Sequence, residues 1–235
     1  MRALSCTLLL LVFLVEGPGA QEKAVLFRDD FATLDNWMPY YFPKITKHSV
    51  YSIQKEGERH CLKAESNASA SAIVYKDSFN VYDYPRVRWR WKVENVYVKG
   101  DARSKAGDDY PLRVYVMFDY DPDTAGRFEK LKYGLVKKMY GEYPPRSSLS
   151  YVWSSREGPE SIIVSPYTDR AMMVLLQMGA KNVGTWQEQE VSILEDYQSA
   201  FGAKPPLRAR IAIMNDSDNT GEHSISFMDY IEVFR

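Results

Sequence analysis

The sequence predicts an all-β fold, an antiparallel β-sandwich that carries two short helices. Three observations favour this class. Aromatic residues, which are typical of β structure, are frequent, with 17 Tyr, 10 Phe and 5 Trp among 235 residues. The segment Arg86–Glu94 alternates strictly between apolar and cationic side chains, as a strand with one buried face does. Many short apolar segments follow one another between turn residues, without the regularly spaced helices of a parallel α/β sheet.

The strands follow from alternation and from the turns that separate them. In the clearest strand, apolar residues that must enter a core alternate with four cations: Val87, Trp89, Trp91 and Val93 against Arg86, Arg88, Arg90 and Lys92. A second strand, Arg113–Tyr120, alternates in the same way. Further strands are predicted at Ala24–Phe27, Ser49–Gln54, Cys61–Glu65, Ala72–Lys76, Leu149–Trp153, Ile162–Ser165, Met172–Gln177, Trp186–Val191, Arg208–Asn215 and Ser224–Phe234.

Two segments have helical spacing, and we expect both helices to lie on the surface of the sandwich. The first has an apolar face, followed by a glycine that ends the helix: Phe128, Leu131, Leu135 and Met139, then Gly141. The second begins at Ser192, where Glu195 predicts a capping box, and it ends at Gly202. Its apolar stripe consists of Ile193, Tyr197 and Phe201.

The first 20 residues are typical of a secretory signal peptide. A positive start at Arg2 precedes an apolar stretch, Leu8–Val15, and small residues follow at Gly17–Ala20. This stretch is too short for a membrane span, and charges interrupt every later apolar segment, so no transmembrane segment is expected. We therefore expect a periplasmic or secreted protein, with residues 21–235 forming a single β-sandwich domain.

Charge and cysteine content exclude several classes. The formal net charge is −1, so no basic field favours a nucleic-acid partner. Cys61 is the one cysteine that follows the predicted signal peptide, which excludes an intramolecular disulfide in the mature chain. Its place in an alternating strand predicts burial, and His60 beside it faces the other way, which argues against a thiol nucleophile.

The segment Asn215–Glu222 is the most informative candidate site. It places Asp216, Asp218 and Glu222 in one hairpin loop, where the carboxylates repel one another unless a cation or hydrogen-bond donors lie among them. Its opening resembles a calcium loop, but Phe227 stands at the twelfth position where an EF-hand has Glu, so an EF-hand is rejected. A solvated hairpin loop and a cation or ligand site both remain open.

A second acidic segment, Gly107–Arg113, leads into the strand that contains Tyr115. Asp108 and Asp109 are adjacent, so their side chains are expected to face opposite ways. Arg113 either pairs with one of these carboxylates at the rim of the sheet or binds a carboxylate or sugar hydroxyls from outside.

A structural calcium site is predicted from Asp29, Asp30 and Asp229. Alternation places Asp229 on the same strand face as Phe227 and Ile231, which would direct its carboxylate inward, where it needs a partner. The first and last strands of a sandwich often lie side by side, which would bring Asp229 near the turn at Asp29 and Asp30. A solvated turn and a carboxylate at the sheet rim remain the alternatives.

Five ordered motifs resemble a family of bacterial secreted proteins, the domain-of-unknown-function family number 3047. They are Trp89-Arg90-Trp91, Gly107-Asp108-Asp109 with Arg113–Phe118, Leu149–Trp153, Asp196-Tyr197 with Phe201-Gly202, and Asp216–Thr220. The resemblance spans nearly the whole mature chain and implies a jelly-roll-like fold in a bacterial envelope or periplasmic setting, with no established activity. Where such relatives carry an Arg-Asn pair ahead of the second helix, this chain has Gln189-Glu190, so no role is carried to those positions.

The leading hypothesis is a non-catalytic, carbohydrate-binding-module-like sandwich that binds a carbohydrate or another polar envelope ligand. The expected polar contacts are Asp108, Asp109, Arg113, Asp216, Asp218 and Asn219, and the expected stacking groups are Tyr115, Tyr151 and Trp153. The three histidines lack metal-ligand spacing, and no nucleophile elbow is present. A polysaccharide hydrolase or lyase that uses one Asp of each acidic segment, and a structural envelope protein, are the alternatives.

Overall fold

The computed structural model describes residues 24–123, 125–140 and 143–235. The predicted signal peptide and Gly141 lie outside these residues. The strands, in chain order, are β1 (Val25–Asp29), β2 (Trp37–Tyr40), β3 (Val50–Glu56), β4 (Arg59–Asn67), β5 (Ala70–Tyr75), β6 (Phe79–Asn80), β7 (Arg86–Val93), β8 (Arg113–Phe118), β9 (Ser147–Ser154), β10 (Ile162–Val164), β11 (Ala171–Met178), β12 (Gln187–Ser192), β13 (Arg208–Asp216) and β14 (His223–Phe234). The helices are α1 (Arg127–Tyr140) and α2 (Ile193–Phe201).

The strands form two sheets packed face to face, so the predicted β-sandwich is confirmed. Within the described residues, a six-stranded sheet has the order β12-β7-β14-β4-β3, with β1 also beside β14. An eight-stranded sheet has the order β10-β11-β9-β8-β13-β5-β2, with β6 also beside β13. Neighbouring strands pair antiparallel, apart from the parallel pair of β9 and β11. Each of the twelve predicted strands is present, and the short strands β2 and β6 are additional.

The core lies between the two sheets and is rich in tryptophan. The apolar face of β7 is fully buried, as its alternation predicted, and its cationic face remains half-buried on the outside. Trp91 lies 5.8 Å from Trp153 of β9, and Trp89 lies 5.5 Å from Tyr151, between ring centroids. The inner faces of both sheets therefore contribute large aromatic rings to one cluster.

Helix α1 has the predicted position, but two residues of its predicted apolar face are exposed. Phe128 and Leu131, expected to pack inward, are 92% and 66% exposed. Tyr133 is buried instead, stacks on Tyr120 at 3.9 Å between centroids, and accepts a hydrogen bond from Arg170. Apolar spacing alone did not reveal this face because the anchoring side chain is an aromatic residue with a polar tip.

Helix α2 ends as predicted but begins differently. Gly202 adopts a left-handed conformation, with φ of 65°, and its N–H donates to Gln198 O. Ile193 and Tyr197 are buried and Phe201 packs against the core. The predicted capping box is wrong, because within the described structure the Ser192 side chain makes no capping hydrogen bond.

A β-bulge in β14 overturns the predicted orientation of Asp229. The pairing of β14 with β7 shifts between Met228 and Tyr230, so Asp229 is the extra residue. Ile231 enters the core, whereas the Phe227 ring lies over Lys92 on the outer face. Strict alternation assumes an unbroken ladder, and the bulge changes its phase after Met228.

Candidate functional site

The candidate site lies at one end of the sandwich, where three connections meet. Arg113 begins β8 and pairs with Met214 of β13, two residues before Asp216. Asp216 pairs with Ala70 at the start of β5, and His223 pairs with Asn67 at the end of β4. The β7–β8 connection, the β13–β14 loop and the β4–β5 turn are therefore adjacent, and the two acidic segments converge.

A buried ion pair joins the two segments. Arg113 Nη2 donates to Asp216 Oδ2, and the Tyr110 backbone N–H donates to Asp216 Oδ1 at 3.3 Å. Arg113 is 5% exposed and Asp216 is 1% exposed. Burial raises the pKa of Asp216, and attraction by Arg113 opposes that shift. The predicted Arg–Asp bridge is present, but Asp216 is the partner rather than Asp108 or Asp109.

Asp109, in the β7–β8 connection, accepts hydrogen bonds from the β13–β14 loop. Its Oδ1 accepts hydrogen bonds from the Asn219 backbone N–H at 3.3 Å and from Asn219 Nδ2 at 3.0 Å. Its Oδ2 accepts from the Thr220 backbone N–H at 2.6 Å. A carboxylate with three donors is well stabilised although it is 1% exposed. Asp109 is thus a structural partner of the loop.

Three carboxylates lie close enough to share one ion. One oxygen from each of Asp109, Asp216 and Asp218 lies within 4.8 Å of the others. Asp218 is half-buried, and its pKa is raised by burial and by the charge of Asp109. This end of the sandwich therefore has a strongly negative interior that Arg113 balances in part.

Asp108 faces the same group of charges. It is 6% exposed, and its Oδ1 has no hydrogen-bond partner in the part of the chain that the structure describes. Burial raises the pKa of the Asp108 carboxyl, Arg113 and a hydrogen bond with the Tyr110 hydroxyl oppose the shift, and the charges of Asp109 and Asp218 add to it. An unpaired buried carboxylate oxygen is rare in folded proteins, so it marks a position where a further group is expected.

The outer face of the eight-stranded sheet continues from this end. Val114 and Val116 of β8 enter the core, so Arg113, Tyr115 and Met117 point away from it. Tyr115 is half-buried, its ring centroid lies 5.5 Å from the Arg113 guanidinium carbon, and burial raises its pKa to about 12. Ser150 stands opposite Tyr115 on β9 and is buried, and its hydroxyl interacts with that of Tyr115.

Two clusters of apolar side chains, here called walls, flank Tyr115 on this outer face. On one side, Phe42 and Ile45 of the β2–β3 connection pack with Tyr115 over a small cluster formed by Ala70, Ala72 and Met214. On the other side, the β7–β8 connection covers Val152 and Met173 with Tyr110. The exposed Tyr167, from the β10–β11 turn, donates to Asn219 Oδ1 at 2.8 Å.

Two predicted stacking groups do not reach this surface. Tyr151 and Trp153 are 0% exposed and lie in the main core. Tyr151 donates to Asp196 at 2.9 Å, and the Trp153 indole donates to the Gly179 carbonyl at 3.1 Å. Their strand, β9, presents its odd-numbered aromatic residues inward, so their proposed contact with a ligand is corrected: both support the fold.

The three carboxylates of the predicted calcium site have other partners. Asp29 accepts from the Phe31 backbone N–H at 2.8 Å and from the Trp37 indole at 2.9 Å. Asp30 pairs with Arg28 at 2.7 Å, whereas Asp229 accepts from Arg90 at 2.9 Å and from Arg59 at 3.3 Å. The bulge directs Asp229 to this cationic outer face of the six-stranded sheet, where the Arg59 and Arg90 guanidiniums compensate its charge.

Sequence reasoning missed Tyr167, Tyr110 and Ser150. Tyr167 follows Ser165-Pro166, and an aromatic residue in such a turn could have been predicted to be exposed and available to a ligand. Tyr110 stands directly after the acidic pair. Ser150 alternates with Tyr151 and Trp153, so a correct inward assignment of those two would have placed Ser150 outward.

Several solved structures are similar to this chain over most of its length. The family 11 carbohydrate-binding module from Clostridium thermocellum, in complex with a β-1,3-1,4-mixed-linked tetrasaccharide, is 12% identical over 90% of this chain and 94% of its own, with a TM-score of 0.41. Endoglucanase 3 of family GH12 from Trichoderma harzianum is 6% identical over 86% and 99%, with a TM-score of 0.39. Winged bean acidic lectin is 7% identical over 85% and 98%, with a TM-score of 0.36.

These TM-scores are low, so the similarities concern overall shape alone. A comparison with curated proteins gave no match. No helix within the described ranges combines the length and apolar character needed to cross a membrane. A family model described as protein of unknown function (DUF3047) matches residues 35–232, which is most of the chain and includes both acidic segments. The chain therefore belongs to the DUF3047 family of proteins of unknown function.

Proposed function

We propose that this protein is a non-catalytic module that binds a carbohydrate, or another polyhydroxylated ligand of the bacterial envelope, on the outer face of the eight-stranded sheet. The observation that carries the proposal is Tyr115. This half-buried ring points away from the core at the centre of a large sheet, next to a buried guanidinium and between two walls.

The chemistry of this face matches what sugar recognition requires. A sugar ring offers an apolar C–H face, which stacks on an aromatic ring, and hydroxyl groups, which need donors and acceptors fixed in place. Tyr115 supplies the ring. Arg113 is held by Asp216, and its Nε has no partner among the described residues. Ser150 Oγ lies on the next strand beside Tyr115.

The rim of the face offers further contacts near the acidic end. Tyr167 and Asn219 are exposed and hydrogen-bonded to each other, so they present an aromatic surface and an amide at a fixed separation. Asp108 is buried, and its charge acts on both Arg113 and Tyr167. A ligand that spans from Tyr115 to Tyr167 would contact both aromatic and polar groups, which is the combination typical of small-molecule binding sites.

The hydrolase alternative has one observation in its favour, because carboxylates of the two acidic segments do converge. A glycosidase needs one carboxyl free to give a proton and another free to attack or to activate water. Here Arg113 holds Asp216, and Asn219 and Thr220 hold Asp109. These engaged carboxylates support binding over catalysis.

The test begins with the mature chain on an array of bacterial envelope polysaccharides, and the strongest glycan is then titrated calorimetrically. Tyr115→Ala is expected to weaken binding at least about tenfold, equivalent to 1.4 kcal/mol. Trp186→Ala is the matched control, because Trp186 contacts Arg90 and Lys92 on the outer face of the other sheet. Unchanged affinity of Tyr115→Ala, with loss in Trp186→Ala, would contradict the proposed face.

Release of reducing ends from the same polysaccharides separates catalysis from binding. We expect none above the level of a denatured sample, and sustained release that Asp108→Asn or Asp218→Asn abolishes would establish the hydrolase alternative. If no glycan binds and none is cleaved, a structural envelope role is favoured.

We also propose that the chain is exported to the periplasm or beyond, because of its signal-peptide pattern. Expression of the full sequence in a Gram-negative host, followed by fractionation and N-terminal sequencing, is expected to give a mature form that begins near Gln21 outside the cytoplasm. An intact chain retained in the cytoplasm would contradict export.

A further inference from the structure

We infer that the acidic end of the sandwich binds a hard divalent cation, with calcium as the best fit, between the Asp108–Asp109 segment and the Asp216–Asp218 loop. The site goes beyond the proposed function, because it assigns a bound ion to the carboxylates at this end of the sandwich. It also differs from the calcium site predicted at Asp29, Asp30 and Asp229.

The geometry suits a single ion. Calcium takes six to eight oxygen ligands at about 2.3–2.6 Å, so two of its ligands are separated by at most about 5 Å. Oxygens of Asp109, Asp216 and Asp218 lie within 4.8 Å of one another. They come from two segments that are distant in sequence, so one ion would connect the β7–β8 connection to the β13–β14 loop.

The charges of the site are unbalanced without a cation. Asp108, Asp109, Asp216 and Asp218 act electrostatically on one another, and the Arg113 guanidinium hydrogen-bonds to Asp216. Four carboxyl groups therefore lie near one guanidinium in a largely buried region. The nearby ammonium of Lys99 instead donates to the Thr220 carbonyl at 3.1 Å.

An independent observation points to a missing partner. Asp108 belongs to the same group of interacting charges but is not one of the three clustered ligands, and it is 6% exposed. Its buried Oδ1 has no hydrogen-bond partner within residues that the structure describes. A buried carboxylate oxygen without a partner is unfavourable, so a cation, contacted directly or through water, is the group that we expect at Oδ1.

Asp218 gives the site an opening. It is half-buried whereas Asp109 and Asp216 are almost fully buried, so an ion can enter past Asp218 and retain water there. The next residue, Asn219, donates to Asp109 and accepts from Tyr167. A bound cation would therefore hold the Tyr167 rim of the proposed ligand face in place.

The experiment uses the mature chain after treatment with a chelator. Calorimetric titration with CaCl₂ is expected to show one site per chain, and calcium is expected to raise the Tm. Terbium, excited through Tyr110 or Tyr167, is expected to luminesce and to be displaced by calcium. Absence of heat, Tm shift and terbium signal in the wild-type chain would overturn the inference without any reliance on a variant.

Variants locate the ion. Asp218→Asn, which leaves the Arg113–Asp216 pair intact, is expected to weaken calcium binding at least about tenfold, and Asp108→Asn is expected to weaken it as well. The control Asp77→Asn, at an exposed carboxylate in the β5–β6 turn, is expected to bind like the wild type. Equal affinity of Asp218→Asn and the wild type would place the ion elsewhere.

Tyr115→Ala separates the two proposals. This variant is expected to bind calcium normally while it loses the glycan. Loss of glycan binding on chelation would show that the cation orders the Tyr167 rim, whereas glycan binding that survives chelation would show that the cation does not hold this rim in place.

Discussion

The buried pair of Arg113 and Asp216 supports the sharpest stability prediction. Asp216→Asn keeps the size of the side chain and an oxygen that can still accept from the Tyr110 backbone N–H. It removes the negative charge that compensates a guanidinium only 5% exposed to solvent. Breaking a buried ion pair by neutralising one partner typically costs about 3–5 kcal/mol, because the other charge stays buried.

The predicted loss is large relative to the stability of the domain. A loss of about 3 kcal/mol is a substantial share of the total of about 5–15 kcal/mol for a typical native protein. For a chain of this size it corresponds to a fall in Tm of about 6–12 °C. Replacement of both partners by apolar residues, Arg113→Met with Asp216→Leu, is expected to cost less than the sum of the two single changes.

Urea unfolding in the presence of EDTA, followed by tryptophan fluorescence, measures the free energy of unfolding. The control is Asp30→Asn in the Arg28–Asp30 pair, where the side chains are 39% and 64% exposed, so a loss of at most about 1 kcal/mol is expected. If Asp216→Asn costs no more than Asp30→Asn at unchanged m-value, the pair is not buried as described, and the electrostatic account of this end of the sandwich is wrong.

Three further predictions concern the core, the loop and pH. Trp91→Ala, at a fully buried ring that packs against Trp153, is expected to lose about 3–5 kcal/mol in the same urea assay, and a loss below 1 kcal/mol would contradict the core. Gly221→Ala is expected to lose about 1 kcal/mol through backbone strain at φ of 73°, and an unchanged midpoint would show that the loop adopts another conformation. Burial raises the pKa of Asp218, so the folded state binds the Asp218 proton more tightly than the unfolded state does. The stability gained from protonation of Asp218 is complete below the unfolded pKa of about 3.9, and it is lost as the pH rises through the pKa of the folded state. The wild type should therefore gain stability relative to Asp218→Asn as the pH is lowered from 7 towards 4 without calcium, and a constant difference would contradict the shift.

The sequence alone was sufficient for most of the fold because alternation reports burial directly. The eight residues of β7 alternate without exception, and their apolar members are the buried ones. The same rule failed at Asp229, because a single bulge residue reverses which side chains face the core, and nothing in the local sequence announces it. Helical spacing likewise misplaced Phe128 of α1, which is exposed, whereas Tyr133 of the same helix is buried.

The candidate site was predicted in part. The two acidic segments were identified because carboxylates at strand ends are conspicuous, yet their partners depend on how distant strands align. Arg113 meets Asp216 because β8 and β13 are neighbours, which the sequence does not state. Tyr151 and Trp153 were misassigned because an aromatic side chain serves equally well in a core or on a ligand face, and only the inward phase of β9 decides between them.

The central claim is that a carbohydrate ligand binds the outer face of the eight-stranded sheet. NMR titration tests this claim most directly. Met117 points outward from β8 two residues after Tyr115, and Trp186 marks the outer face of the other sheet. With methyl-labelled methionine and ¹⁵N-indole tryptophan, the glycan selected on the array is expected to shift the Met117 methyl signal and to leave the Trp186 indole signal unchanged. A shift of Trp186 with an unmoved Met117 would contradict the account.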